Sequence, residues 1–348
     1  MPRPHLSRPA GVRRSAAPPK PPRPSLAVLG DLILDVVVAP ERPLEHGTDV
    51  PGTLRFRAGG SAANVARSFA HLGGASAFIG SVGRDGWGSR LAAVLRAEGV
   101  TPHVVVSGPV TGRLAAVVDR SGERSFITER GSADALRPDD LRAAWLRRIG
   151  ALHVPAYSLF HDPVATAAIR AAGLAHEARA LVTVDTASRA PLLAFGRAAA
   201  WERIAAMAPD VLFANRGEAA ALAGVAAARA PRRLLELAPV VVVKDGAAGC
   251  DVVWREGAAG AVGAAGSSAG GTAGGVAELE IAASPIAAAD TTGAGDAFAA
   301  GFLFALLGGG ASAVPARPWT AATLRRAALA GHRSAADLLR RPRAELGL

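Results

Sequence analysis

The stretch DTTGAGD (290–296) sets two aspartates around a threonine pair and two glycines, and a long apolar run (297–307) follows at once. Glycines just before a helix let backbone N–H groups converge on one point, which the helix dipole makes attractive to an anion. The spacing predicts a helix starting near Ala294 or Gly295, with Phe298, Phe302 and Leu306 on one face and Asp296 in its first turn. In one reading Asp296 is an ordinary N-terminal helix charge. In the other, the turn Gly293, Ala294, Gly295 cradles a transferring phosphoryl group, and Asp296 takes the proton from the attacking hydroxyl. A base beside an anion cradle is what phosphoryl transfer to an alcohol requires.

Three other segments fit the second reading. Gly59 and Gly60, followed by Asn64, put a close backbone approach and an amide near a helix start, suited to sugar hydroxyls. Asp35, past the first strand, could accept two hydroxyl hydrogen bonds at once. Asn215 and Glu218 in NRGE form an N-x-x-E pair that could hold Mg²⁺ and its waters. The same pair would equally make a helix cap, with Glu218 at the third helical position. Lys244, one of two lysines in an arginine-rich chain, would by itself be read as a solvated strand end.

These residues need elements to position them. SLAVLGDLILDVVV (25–38) reads as a buried strand, a break at Gly30-Asp31, and a second extended run. Residues 59–74 and 87–99 read as amphipathic helices, while 77–83, 103–106 and 114–119 read as strands, with a turn at 120–123. From about residue 150, strands at 150–154, 180–185, 210–214 and 239–243 alternate with alanine-rich helical stretches. That alternation predicts βαβ units and a parallel sheet covered on both faces. Ligands bind such sheets at the carboxyl ends of the strands, so Asp185, Asn215 and Lys244 should share one rim.

Composition narrows the function classes. Half of the 348 residues are apolar, and a folded globular α/β protein is expected. No stretch approaches the ~20 uninterrupted apolar residues of a membrane span. Cys250 is the only cysteine, which excludes an intrachain disulfide and fits a reducing, cytoplasmic compartment. Much of the +10 net charge is local: residues 1–25 hold six Lys/Arg, no acid and many prolines, and should be a disordered basic tail. Without interleaved aromatic residues that tail is a poor nucleic-acid binder, and the body alternates Arg with acids. The Gly/Ala/Ser segment 255–275 reads as a flexible surface loop; its GSSAG, around Ser268, lacks the strand and helix a nucleophile elbow needs.

The chain resembles the PfkB (ribokinase-like) family of carbohydrate and nucleoside kinases over roughly residues 26–340. GGSAANVARSFAHLGG (59–74) resembles one family signature and DTTGAGDAFAAGFLFAL (290–306) the other. NRGE, VVVKDGAAG (241–249) and TGRLAAVVDRSGERSF (111–126) resemble its N-x-x-E, nucleotide-side and substrate-side segments. The resemblance implies a three-layer α/β/α sandwich with a mostly parallel central sheet, occupying 26–348. It also implies a small β-sheet lid, from about 36–58 and 103–130. By the same resemblance Asp296 is the catalytic base, and Gly293, Ala294 and Gly295 form the anion hole. Asp35, Gly59, Gly60 and Asn64 contact the sugar. Asn215, Glu218, Lys244, Gly246, Gly249 and Thr291 lie toward ATP, with Glu218 reaching Mg²⁺ through water. Asp290 shapes the turn or supports a monovalent cation.

The implied function is ATP- and Mg²⁺-dependent phosphorylation of a hydroxymethyl group on a sugar or sugar-like molecule. A nucleoside kinase and a catalytically silent sugar-binding regulator remain open beside it. The C-terminus departs from the family pattern, with Arg343-Ala344 where many members carry Gly-Ala, which counts against K⁺ activation and an ordinary adenine pocket. Tyr157, the only tyrosine, and Arg113 are either substrate contacts or structural residues. The sequence does not fix the oligomeric state; lid strands with exposed edges often pair between subunits, which leaves a homodimer through the lid open.

Overall fold

Short β-branched runs such as Val240–Lys244 and Leu181–Asp185 are buried on both faces, which forces them into the middle of a covered sheet. The computed structural model describes residues 23–119, 124–257, 275–288, 290–308, 319–342 and 344–347. Nine strands form the large sheet: β1 (Ser25–Leu29), β4 (Ala75–Val82), β5 (Val100–Val106), β8 (Ala151–Pro155), β9 (Leu181–Asp185), β10 (Val211–Asn215), β11 (Val240–Lys244), β12 (Cys250–Arg255) and β13 (Val276–Ile281). Their order is β13-β12-β11-β10-β9-β8-β1-β4-β5. Pairing is parallel from β11 through β5, while β12 and β13 join antiparallel.

Alternate residues of each strand enter opposite layers. Val240 and Val242 pack with α1 (Ser61–His71), α2 (Gly86–Ala97), α8 (Ala294–Leu307) and α9 (Ala321–Arg340). Val241 and Val243 pack with α3 (Val164–Glu177), α4 (Arg189–Phe195), α5 (Arg197–Ala206), α6 (Arg216–Ala223) and α7 (Ala230–Leu234). Helix α8 is anchored by Phe302, which meets Phe213 of β10 edge to face with centroids 5.3 Å apart. Burying such a ring contributes roughly 1.5–3 kcal/mol, enough to hold the helix N-terminus at the rim of the sheet. The family-like three-layer sandwich is the architecture found.

A second sheet, in the order β3-β2-β6-β7, is built from β2 (Ile33–Pro40), β3 (Gly52–Gly59), β6 (Arg113–Val118) and β7 (Arg124–Glu129). It leaves the large sheet through the Gly30-Asp31 break. Residues 103–106, expected in the lid, instead finish β5: His103 pairs with Ile79 and Val106 with Val82 of β4. An edge strand of either sheet shows the same alternating pattern, so periodicity could not assign the sheet. The second part of the lid begins at Arg113. Residues 1–22 of the expected tail, the turn at 120–123, residues 258–274 with Ser268, and Arg343 lie outside the described residues, and Ser25 already belongs to β1.

Beyond β1 the chain runs to β4 and β5 on one side, and from β8 onward on the other. The carboxyl ends of β1 and β8 therefore mark the switch point at which α/β sheets open a crevice. The lid rises from the end of β1, above that crevice.

Candidate active site

Helix α8 begins at Ala294 after Gly293, whose φ of +76° suits glycine. The Ala294 N–H is taken by the Thr291 carbonyl at 3.1 Å, so the turn is tied down from within. The Gly295 and Asp296 N–H groups stand at the open, positive end of the helix. Asp296 is half-buried there. Its Oδ1 accepts from Ser61 Oγ at 2.7 Å and its Oδ2 from Asn64 Nδ2 at 3.0 Å. Both donors lie on the first turn of α1, which starts from Gly60 at φ +101°. Burial pushes the Asp296 carboxyl up to about 6, against the pull of these two hydrogen bonds. A carboxylate held near neutrality and aimed by two donors is suited to accept a proton.

Asp35 sits on β2, on the lid side of the same cleft. Burial, and the Asp31 charge after it, push its carboxyl up to about 7, with Arg57 opposing. A Cβ on Gly59 would lie 2.2 Å from the Asp35 carboxyl carbon, so only glycine lets β3 pass this close. Arg57 faces Asp35 across the β2–β3 register and donates from Nη1 to Asp290 Oδ2 at 3.0 Å. Asp290 Oδ1 accepts the Thr292 N–H at 3.0 Å, which makes Asp290 a brace of the turn. Asp31 is buried behind them, accepting the Ala62 N–H at 3.2 Å and lying 3.6 Å from Arg130.

On the other flank, Lys244 Nζ donates to Asp185 Oδ2 at 2.5 Å. Burial works against its charge, but Asp185, Glu218 and Asp296 together outweigh this and raise the ammonium. The same Nζ would lie 3.2 Å from a Cβ on Gly295, so any side chain there would press on the ammonium. Lys244 is thus a largely buried cation beside the glycine turn at 293–295, not a solvated strand end. Glu218 Oε2 accepts from Thr186 Oγ1 at 2.8 Å and from the Asn215 N–H at 2.9 Å, and Asn215 Oδ1 caps the Glu218 N–H. The helix-cap reading of Asn215 and Glu218 is therefore realised. Burial and the Asp185 charge push the Glu218 carboxyl up, so a cation at this spot would be welcome.

Among the described residues no cluster of three or more metal-ligating side chains occurs. Mg²⁺ is usually held by one or two carboxylates together with phosphate oxygens, and Glu218 with Asp185 beside it could fill that role. Gly246 opens a turn after β11, and a Cβ there would meet none of the described residues within 4 Å, whereas Gly249 is pressed on the Ile281 carbonyl, where a Cβ would lie 2.1 Å away. Gly249 thus has a structural reason of its own. Thr291 is exposed at the turn and serves it through its carbonyl.

Asp35, Asn64, Gly293 and Asp290 line one cavity of about 350 Å³ with Arg57 and Leu338. Asn215 and Glu218 line a separate depression with Ser188 and Arg189. Ser61, Arg57, Arg130 and Arg189 were not expected at the site. Ser61 sits directly after the glycine pair, and that position was the available signal. Arg113 of β6 pairs with Glu129 of the neighbouring β7, both exposed, as a structural residue would. Tyr157 is half-buried, with Arg130 5.7 Å above its ring. Residues 344–347 run beside β3, where the Leu346 N–H reaches the Phe56 carbonyl at 2.7 Å.

An α/β/α sandwich with a β-sheet lid and a carboxylate at the foot of a glycine turn defines the ribokinase-like class of fold. The chain belongs to the pfkB family of carbohydrate kinases, whose family model matches residues 23–344. It is 36% identical over 162 residues to fructokinase-1 of Zea mays, covering 45% of this chain and 49% of that protein. Fructokinase of Solanum tuberosum is 35% identical over 170 residues, 47% and 51% of the two chains. The chain thus spans about half the length of the curated relatives it matches. The fold is that of adenosine kinase from Sinorhizobium meliloti, with a TM-score of 0.73, 23% identity, and coverage of 92% and 94%. It is also that of a Vibrio cholerae fructokinase double mutant in its fructose-, ADP- and potassium-bound form, with a TM-score of 0.68, 22% identity, and coverage of 93% and 94%.

Proposed function

We propose that the protein transfers the γ-phosphoryl group of ATP to a hydroxymethyl group of a sugar, with a ketohexose such as fructose the first acceptor to try. The observation that carries this reading is Asp296, pushed up to about 6 by burial, aimed by Ser61 and Asn64 at the open end of α8 and flanked by the Lys244 ammonium. The acceptor would lie in the cavity between the lid and α1, with Asp35 and Asn64 orienting its hydroxyls. Asp296 takes the hydroxyl proton as the acceptor oxygen forms its bond to the γ-phosphorus. The bond from that phosphorus to the bridging oxygen breaks, and ADP leaves with the electron pair.

The N–H groups of Gly295 and Asp296 and the Lys244 ammonium meet the charge on the transferred oxygens. Glu218, with Asp185 beside it, is the group on this chain suited to a hydrated Mg²⁺, which would neutralise phosphate charge when bound. Closing of the lid sheet would exclude water that otherwise hydrolyses ATP. Asp290 is assigned to bracing the turn rather than to catalysis, and residues near Gly246 to the nucleotide phosphates. Cytoplasmic localisation fits the single, buried Cys250. Among the described residues no helix is long and apolar enough to cross a membrane. A homodimer through the lid is part of the proposal, since Leu54 and Ile127 are exposed on one lid face while Phe126 lines the cavity from the other.

An ADP-release screen over ketohexoses, pentoses, ketodeoxy acids and nucleosides tests the reading. Release that depends on fructose or another sugar is expected. Preference for a nucleoside moves the assignment to that acceptor class. Ligand-induced thermal stabilisation without any ADP release would identify a silent sugar-binding regulator and overturn the kinase reading.

A further inference from the structure

The contact between Arg57 and Asp290 is not required to build either segment that carries it. Strand β3 pairs with β2 along its whole length, and Asp290 already braces its own turn through the Thr292 N–H. The side chains nevertheless meet at 3.0 Å, 18% and 25% exposed, and the Arg57 Nε is buried without a hydrogen-bond partner among the described residues. Ordering a long arginine this far is costly unless its charge is needed. Asp290 lies three residues before Gly293 and lines the same cavity. A polyanion held by the 293–296 turn would therefore meet its negative charge at short range in a cleft that screens poorly.

We infer that Arg57 is a positioning residue whose guanidinium neutralises Asp290 and ties lid strand β3 to the anion turn, so that the turn needs no monovalent metal cation. This rests on reading the turn as the phosphoryl cradle. A guanidinium suits the task because it stays charged at every working pH and its planar fork is preorganised for a carboxylate. Arg57 also stands opposite Asp35 in the lid register, so the group that compensates the turn moves with the strand pair that orders the acceptor.

Calorimetric titration of ATP into wild type, Arg57→Met, Asp290→Asn and the double variant tests this, in choline chloride and in KCl at equal ionic strength. Wild type should bind equally in the two salts. Arg57→Met should bind roughly ten-fold more weakly in choline chloride, the ordinary scale of coupling between adjacent sites, and recover in KCl. The double variant should match Asp290→Asn in both salts, because the charge to be compensated is gone. Arg57→Lys, which keeps the charge and most of the packing, should bind close to wild type and covers the case of an unstable Met variant. The inference is overturned by an Arg57→Met or Arg57→Lys variant at odds with these affinities, by a double variant as weak as Arg57→Met, or by a wild type that needs K⁺ to bind. Wild type that binds ATP but phosphorylates no acceptor would overturn the kinase reading alone, while failure to bind ATP would overturn both.

Discussion

Lys244 reaches past β10 to Asp185 and closes an ion pair of 2.5 Å between the carboxyl ends of β11 and β9. The pair is buried, so its two members cannot be removed independently. Leaving one charge unpaired in such a place costs about 3–5 kcal/mol. Lys244→Met should therefore melt well below wild type and also lose ATP affinity, because the cation beside Gly295 is gone. Lys244→Met combined with Asp185→Asn should recover most of the melting temperature but none of the ATP affinity. Thermal melts alongside ATP titrations separate the two effects; recovery of both together would place Lys244 outside the phosphate site.

Asp296→Asn keeps the size of the side chain and two polar atoms for Ser61 and Asn64 to meet, so the fold and ATP binding should persist. Loss of a general base lowers turnover by about a hundred- to ten-thousand-fold. Steady-state kinetics with the best acceptor from the ADP-release screen gives the test. Turnover within about two-fold of wild type would remove Asp296 from the role of base.

The pH dependence follows from the same carboxyl. Asp296 must be ionised to accept a proton, and its pKa is pushed up to about 6. The acid limb of kcat/KM should therefore fall near that value in wild type. Ser61 donates to the ionised form, and that bond lowers the pKa. Ser61→Ala should move the limb to higher pH while leaving the plateau rate within about ten-fold of wild type. An unmoved limb would mean that another group governs the profile.

Much of this was legible because the signals are local. A glycine turn running into an apolar helix fixes Asp296 in a first turn, and strand-end positions put Asp185, Asn215 and Lys244 on one rim before any contact is known. Pairings between distant segments were not legible. Nothing in the sequence near Arg57 points to Asp290, because 233 residues separate them and only the lid's register brings them together. Ser61 was hidden for a different reason, since a serine after two glycines reads first as part of the helix start. The 103–106 strand shows the limit of periodicity: an alternating run says that one face is covered, and not by which sheet.

Asp35 supplies the last prediction, on stability. Its carboxyl rises from 3.8 to about 7 in the folded protein, so the native state binds this proton more tightly than the unfolded chain does. For a raised carboxyl, the associated stability is fully present below the unfolded value and is lost as pH climbs through the folded one. The fold thus carries a growing penalty between about pH 4 and pH 7, where Asp35 must ionise beside Asp31 in a poorly solvated cleft. Asp35→Asn removes that titration. The variant should melt above wild type at about pH 8, and the gap should shrink steadily as pH falls to about 5. It should also lose acceptor affinity, so that KM for the sugar rises while ATP binding is retained. Melting curves across this range decide the matter: a gap independent of pH would show that the Asp35 charge is compensated in the fold, and that its place in the cleft carries no electrostatic cost.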